Sequence, residues 1–198
     1  MPTTGYDEMD GPRFLELAAR AREGQSTLER VRVRGADLSF SDLSDLHAAR
    51  LEAIAVTFKA TLLERVVLRD CRFEEADFSG AILDEADLAD CDFGGCRFEG
   101  ASLRNAKLAV SSAREACFDE ACLAGADLTG TSLADSSLRH ASLVRVKAAG
   151  ASFKRADLTD ADCRGGDFRN ADFTGARLEG VDWCDADLEG ARFDELEL

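Results

Sequence analysis

A chain of 198 residues with 45% apolar side chains holds enough hydrophobic material for one folded domain. Its 39 acidic residues against 24 basic ones leave a formal charge of −15, which argues against direct binding to nucleic acid or to an anionic membrane. No apolar run approaches the length of a bilayer span, and the N-terminus lacks a signal peptide's basic start and apolar core, so the expected location is cytoplasmic.

Residues 1–10 read as disordered. Pro12 through Glu23 reads as a helix, with Asp10 or Gly11 as cap, Pro12 in the first turn and Gly24 just past the end. Phe14, Leu17, Ala18 and Ala21 fall at i, i+3, i+4 and i+7 and form one apolar stripe. The stripe suits a lid over the end of the domain; a partner-binding helix is the alternative reading.

From Leu28 onward a five-residue pattern governs the chain. An apolar centre, most often Leu or Phe, recurs at every fifth position to Leu198, through thirty-five units without insertion or deletion. A second set of mostly smaller residues sits two positions before the centres, as at Ala76, Ala81, Ala86, Cys91 and Cys96. A period of five fits neither a helix nor simple alternation. It fits a chain that turns a corner every five residues, with the small residue and the centre both pointing inward from extended backbone. Gly80, Gly95, Gly100, Gly125 and Gly130 stand two residues after a centre, where a turn needs an unusual φ. Four corners close a coil of twenty residues. The domain division is therefore 1–25, N-terminal segment and capping helix, and 26–198, repeat.

Between Leu28 and Phe58 the pattern is ragged: Ala48 and Ala53 are small centres, and Leu46, Leu51 and Val56 are large neighbours that keep the inward volume. Further on, Phe58, Phe78, Phe98 and Phe118 share one column at twenty-residue spacing, as do Phe153, Phe173 and Phe193. Both read as core ladders, with Trp183 placed over the smaller Cys163. No proline follows Pro12, as an unbroken inter-coil hydrogen-bond ladder requires. Cys71, Cys91, Cys96 and Cys163 occupy inward positions as small apolar fillers, while Cys117, Cys122 and Cys184 point outward as free thiols. No metal-ligand spacing and no cofactor motif occurs.

Catalysis has little to work with. His47 and His140 are 93 residues apart in outward positions, with no nucleophile and base beside them. Asp77, Asp87, Asp127, Asp157, Asp162, Asp167 and Asp172 each precede a centre, where a short carboxylate can accept hydrogen bonds from corner backbone. Outward threonines form no continuous column of the kind that binds ice. The chain is not expected to be an enzyme.

The run Ala76-Asp77-Phe78-Ser79-Gly80-Ala81-Ile82-Leu83-Asp84-Glu85-Ala86-Asp87-Leu88 resembles the pentapeptide-repeat family, whose signature is A-(D/N)-L-x-x. The resemblance covers about residues 26–198 and implies an all-β fold, a right-handed quadrilateral β-helix, with the short N-terminal helix as cap. Several members that this chain resembles bind DNA gyrase or topoisomerase IV as mimics of duplex DNA and protect the enzyme from fluoroquinolones or natural poisons. Such members generally end in a dimer-forming helix, and some interrupt the repeat with loops; this sequence does neither.

Charge is banded along the chain. Residues 71–135 carry a net −9, residues 136–155 hold Arg139, Arg145, Lys147, Lys154 and Arg155 with no acid, and residues 156–198 carry another −9. The acidic surface expected to meet a protein partner comprises Glu74, Glu75, Asp84, Glu85, Asp90, Asp119 and Glu120, or else lies in the 156–198 block. The rod is expected to be roughly 41 Å long from a coil spacing of about 4.8 Å, and duplex of that length carries about 24 phosphate charges, so mimicry would be partial. The alternative function is a scaffold or regulatory protein that binds another partner through the same faces. The C-terminal coil has no lid and presents Val181, Trp183, Phe193, Leu196 and Leu198. These residues point to a homodimer joined at the C-terminal ends.

Overall fold

A computed structural model describes residues 5–194 of the chain. Its body is a right-handed, four-sided β-helix whose coils advance by twenty residues. The first coils carry short strands. In chain order these are β1 (Asp7–Met9), β2 (Thr27–Glu29), β3 (Val31–Arg34), β4 (His47–Ala49), β5 (Glu52–Ile54), β6 (Val67–Arg69) and β7 (Arg72–Glu74), with helix α1 (Gly11–Glu23) between β1 and β2. They form two parallel sheets, β1-β3-β5-β7 and β2-β4-β6. Beyond β7 the same parallel pairing continues as single bridges between residues twenty apart, from Asp77↔Arg97 to Asp172↔Arg192.

The backbone explains why the period never slips. Each centre donates forward to the next coil, as Leu83 N–H does to the Ser102 carbonyl at 2.6 Å. The residue before it donates backward, as Ile82 does to the Thr61 carbonyl at 3.0 Å. Ala81 N–H closes the corner onto the Phe78 carbonyl at 2.9 Å. One inserted residue would turn the inward pair outward, because side chains alternate along extended backbone.

Every corner residue among those described has a positive φ. Gly80 and Gly130 take +66° and +65°, and twenty-three described non-glycine residues are also positive, Phe40 (60°) and Val110 (61°) among them. Inside, the Phe58, Phe78, Phe98 and Phe118 rings stack at 4.7, 4.9 and 4.7 Å, within 3° of parallel. Phe153, Phe173 and Phe193 stack at 4.9 and 5.2 Å, and Trp183 meets Phe168 edge-on at 5.3 Å. Leu46, Leu51 and Val56 are buried beside the small centres Ala48 and Ala53, so the ragged coils keep their volume. Where a small inward position is polar and buried, its hydroxyl finds a carbonyl: Thr61 and Thr131 donate to Leu38 and Leu108 at 2.9 and 2.6 Å.

Helix α1 covers the N-terminal coil. Asp10 caps it by accepting from Arg13 N–H at 3.0 Å, and Phe14, Ala18 and Ala21 are buried against the first coils. Arg22 fastens the lid to Asp42, whose carboxylate accepts from Nη2 at 3.1 Å. The reading of residues 1–10 as disordered needs correction for its second half. Asp7–Met9 pairs in parallel with Val31–Val33, Met9 is buried, and the Tyr6 ring lies 4.7 Å under the Arg32 guanidinium. The apolar Met9 and the open edge of β3 together hold this strand.

Candidate interaction surface

With inward positions filled by core, function lies on the outside. Naming faces by their first centres, the columns start at Leu28 (first), Val33 (second), Leu38 (third) and Leu43 (fourth), each continued by its corner residue. Sorting the charges of residues 26–194 this way gives eight acids on every face, against six bases on the first, seven on the second and four on each of the others. The net charges are −2, −1, −4 and −4. Most of the surplus therefore sits on two adjacent faces, the third and fourth.

The seven acids singled out from sequence do not form one cluster. Glu74 and Glu75 lie on the second face, Asp84 and Glu85 on the fourth, Asp90 at a first-face corner, and Asp119 and Glu120 on the third. Two of them also hold the fold. Asp84 accepts from Ser102 Oγ and, at 2.9 Å, from Arg104 N–H; Asp119 accepts from Ser137 Oγ and, at 3.0 Å, from Arg139 N–H. Each thus ties one coil to the next. Glu75, Glu85 and Glu120, at corners, are exposed.

Most aspartates that precede a centre do what their position implies. Asp77, Asp127, Asp157 and Asp172 each accept, at 3.0 Å, from the N–H two residues on. Asp162 and Asp167 do so at 3.2 Å while gripping Arg164 and Arg169 side chains. Asp87 differs: it takes Arg69 Nη2 at 2.7 Å instead. At Asp162, Asp167 and Asp172 these bonds favour the charged form. The Thr174 hydroxyl lowers Asp172 to about 2, and the Arg164 and Arg169 guanidinium groups hold Asp162 and Asp167 below the usual carboxylate range.

The basic band at 136–155 becomes intelligible once coiled. Its five cations spread over all four faces, and three of them face acids in neighbouring coils: Arg139 with Asp157 at 3.9 Å, Lys154 with Asp172 at 3.2 Å, and Arg155 with Asp135 at 2.6 Å. It is a ring of counter-charges between two acidic blocks, and sequence reasoning missed this because the partners are 18–20 residues away.

Cys71, Cys91, Cys96 and Cys163 are buried, Cys117 and Cys122 half-buried, and Cys184 exposed. Burial raises Cys96 to about 12 and Cys117 to about 11, so neither is a ready nucleophile. His47 and His140 are both exposed; His140 Nδ1 lies 3.8 Å from Asp160. Among the described residues no cluster of three metal-binding side chains occurs, and no helix is long and apolar enough to cross a membrane.

At the far end, Val181 and Trp183 are only partly buried and Phe193 is 43% exposed, whereas Ala161, Cys163 and Phe173 one coil earlier are buried. Leu196 and Leu198 lie outside the described residues.

Two family profiles described as pentapeptide repeats match the chain, one over residues 37–107 and one over 91–130, 136–175 and 171–198. The chain belongs to the pentapeptide-repeat family. A comparison with curated proteins gives no match. Among solved structures, a trypsin-treated form of QnrB1, a plasmid-mediated fluoroquinolone resistance protein, is 20% identical, with 86% of this chain and 84% of that one covered and a TM-score of 0.59. Full-length QnrB1 is 19% identical over 96% and 90%, with a TM-score of 0.52. At such identities the likeness shows a shared pentapeptide-repeat fold.

Proposed function

We propose that this protein acts in the cytoplasm, without catalysis, as a partial mimic of duplex DNA that binds DNA gyrase or topoisomerase IV and protects or modulates the enzyme against topoisomerase poisons. The observation that carries the reading is the one-sided charge of the rod. Among the described residues of the repeat, the adjacent third and fourth faces together hold sixteen acids against eight bases, a net −8, while the other two hold sixteen against thirteen, a net −3. A DNA-binding surface touches one side of a duplex, and electrostatic attraction to phosphate dominates its affinity. A straight acidic edge about 40 Å long offers such a surface a weaker counterpart of one duplex flank. Likeness of fold to a fluoroquinolone resistance protein supports the choice of enzyme.

Pairing of two rods at their C-terminal coils is part of the proposal. Val181, Trp183 and Phe193 leave apolar area for a two-fold partner to cover, which would double the acidic edge to about 80 Å.

The experiment is gyrase supercoiling across a titration of this protein, with and without a quinolone. The proposal expects inhibition or protection at micromolar protein. No effect in either arm overturns it and leaves the alternative, a scaffold or regulatory protein for another partner.

A further inference from the structure

The corner between the third and fourth faces carries a feature that neither charge nor core packing requires. Phe40 holds a left-handed φ of 60° with its ring 82% exposed. A bulky side chain in that conformation is uncommon, and burial gives nothing back here. Leu62 is 37% exposed on the adjoining fourth face, and Ile82 pairs with it directly in the next coil. Three large apolar side chains thus follow one another over three consecutive coils.

Their surroundings are acidic. Residues 37–45, 57–65 and 77–85, which build this corner and both adjoining faces, hold seven acids and two bases. Asp42 and Asp45 are occupied by Arg22 and Arg65. Glu64 and Glu85 pair with no described side chain and flank Leu62 and Ile82 along the fourth face.

We propose that Phe40, Leu62 and Ile82 seat one basic, amphipathic α-helix of a protein partner, lying along the rod axis. The helical pitch of about 5.4 Å and the coil spacing of about 4.8 Å differ by about 0.6 Å per turn. Apolar residues at i, i+3 or i+4, and i+7 therefore meet three successive coils in near register. Lysines or arginines on the flanks of that helix meet Glu64 and Glu85. A second copy of this chain would bring the same acidic rim against itself, and an anionic membrane would be repelled by it. The inference holds for any basic partner, so loss of the gyrase reading leaves it standing.

The test uses the full chain and a fourteen-residue leucine–lysine peptide patterned as an amphipathic helix, against a shuffled peptide of the same composition. Binding is read by fluorescence anisotropy in physiological salt. The wild-type protein is expected to prefer the patterned peptide by about tenfold. Phe40→Gly with Leu62→Ser removes the preference, and the glycine suits the corner's φ, so the fold is retained. Glu64→Gln with Glu85→Gln weakens both peptides and flattens the salt dependence. Equal affinity for the two peptides overturns the proposal, as does a preference that survives Phe40→Gly with Leu62→Ser. Light scattering that shows the double variant abolishing self-association would also overturn it, since the patch would then be an interface between copies.

Discussion

Val110 offers a test in which removing an apolar side chain should stabilise the protein. It is β-branched, sits at a corner with φ 61°, and is 69% exposed. The left-handed conformation costs an L-residue about 1–2 kcal/mol, and so exposed a side chain recovers little by burial. Glycine removes that cost but loses about 0.5–1 kcal/mol more backbone entropy on folding. The balance for Val110→Gly is a gain of about 0.5–1 kcal/mol. Gly130 stands one coil further in the same column at φ 65°, and a Cβ built there meets nothing within 4 Å. Gly130→Val therefore isolates the conformational cost and should destabilise by a similar amount. Urea unfolding measures both, read as midpoint shifts at unchanged slope. Destabilisation by Val110→Gly, or neutrality of Gly130→Val, would refute the claim that these corners are held in a conformation their side chains oppose.

Three further outcomes follow from the same geometry. Phe98 is fully buried between Phe78 and Phe118, so Phe98→Ala should cost about 3–5 kcal/mol; Phe193→Ala, at a position 43% exposed and stacked on Phe173, should cost about 1 kcal/mol, and urea midpoints separate the two. Asp162, Asp167 and Asp172 titrate lower in the folded chain than their ordinary 3.8, so the stability they lend is whole above about pH 4 and is lost as pH falls toward 2; a melting temperature flat across that range would contradict the hydrogen bonds assigned to them. In a native thiol titration Cys184 should react first, Cys117 and Cys122 more slowly, and Cys71, Cys91, Cys96 and Cys163 only on unfolding; seven fast thiols would show the inward cysteines wrongly placed.

The fold was legible because the period is strict. Phe58, Phe78, Phe98 and Phe118 stack as their twenty-residue spacing requires, and most aspartates before centres accept from backbone two residues on, as their place implies. Residues Asp7–Met9 escaped because their offset to β3 is twenty-four residues, not twenty, the helix standing in for the missing corners. Glycines marked the corners, yet Phe40 and Val110 occupy the same backbone conformation with no residue-type signal to announce it. Charge was the least legible. A linear count finds acidic blocks and a basic band, whereas position within the twenty-residue coil decides which charges meet. Sorted that way, Arg155 falls beside Asp135 and Glu74 falls on a different face from Asp84.

The central claim is that the third and fourth faces do the binding. The direct measurement is gyrase affinity, by surface plasmon resonance, for two variants of equal charge. One carries Glu64, Glu85, Glu120 and Glu179 changed to Gln on those two faces; the other carries Glu74, Glu75, Glu115 and Glu189 changed to Gln on the first and second. None of the eight pairs with a described basic side chain, so both variants should keep the wild-type circular dichroism. The account predicts at least tenfold weaker binding for the first variant and little change for the second. Equal losses, or a greater loss in the second, would contradict it.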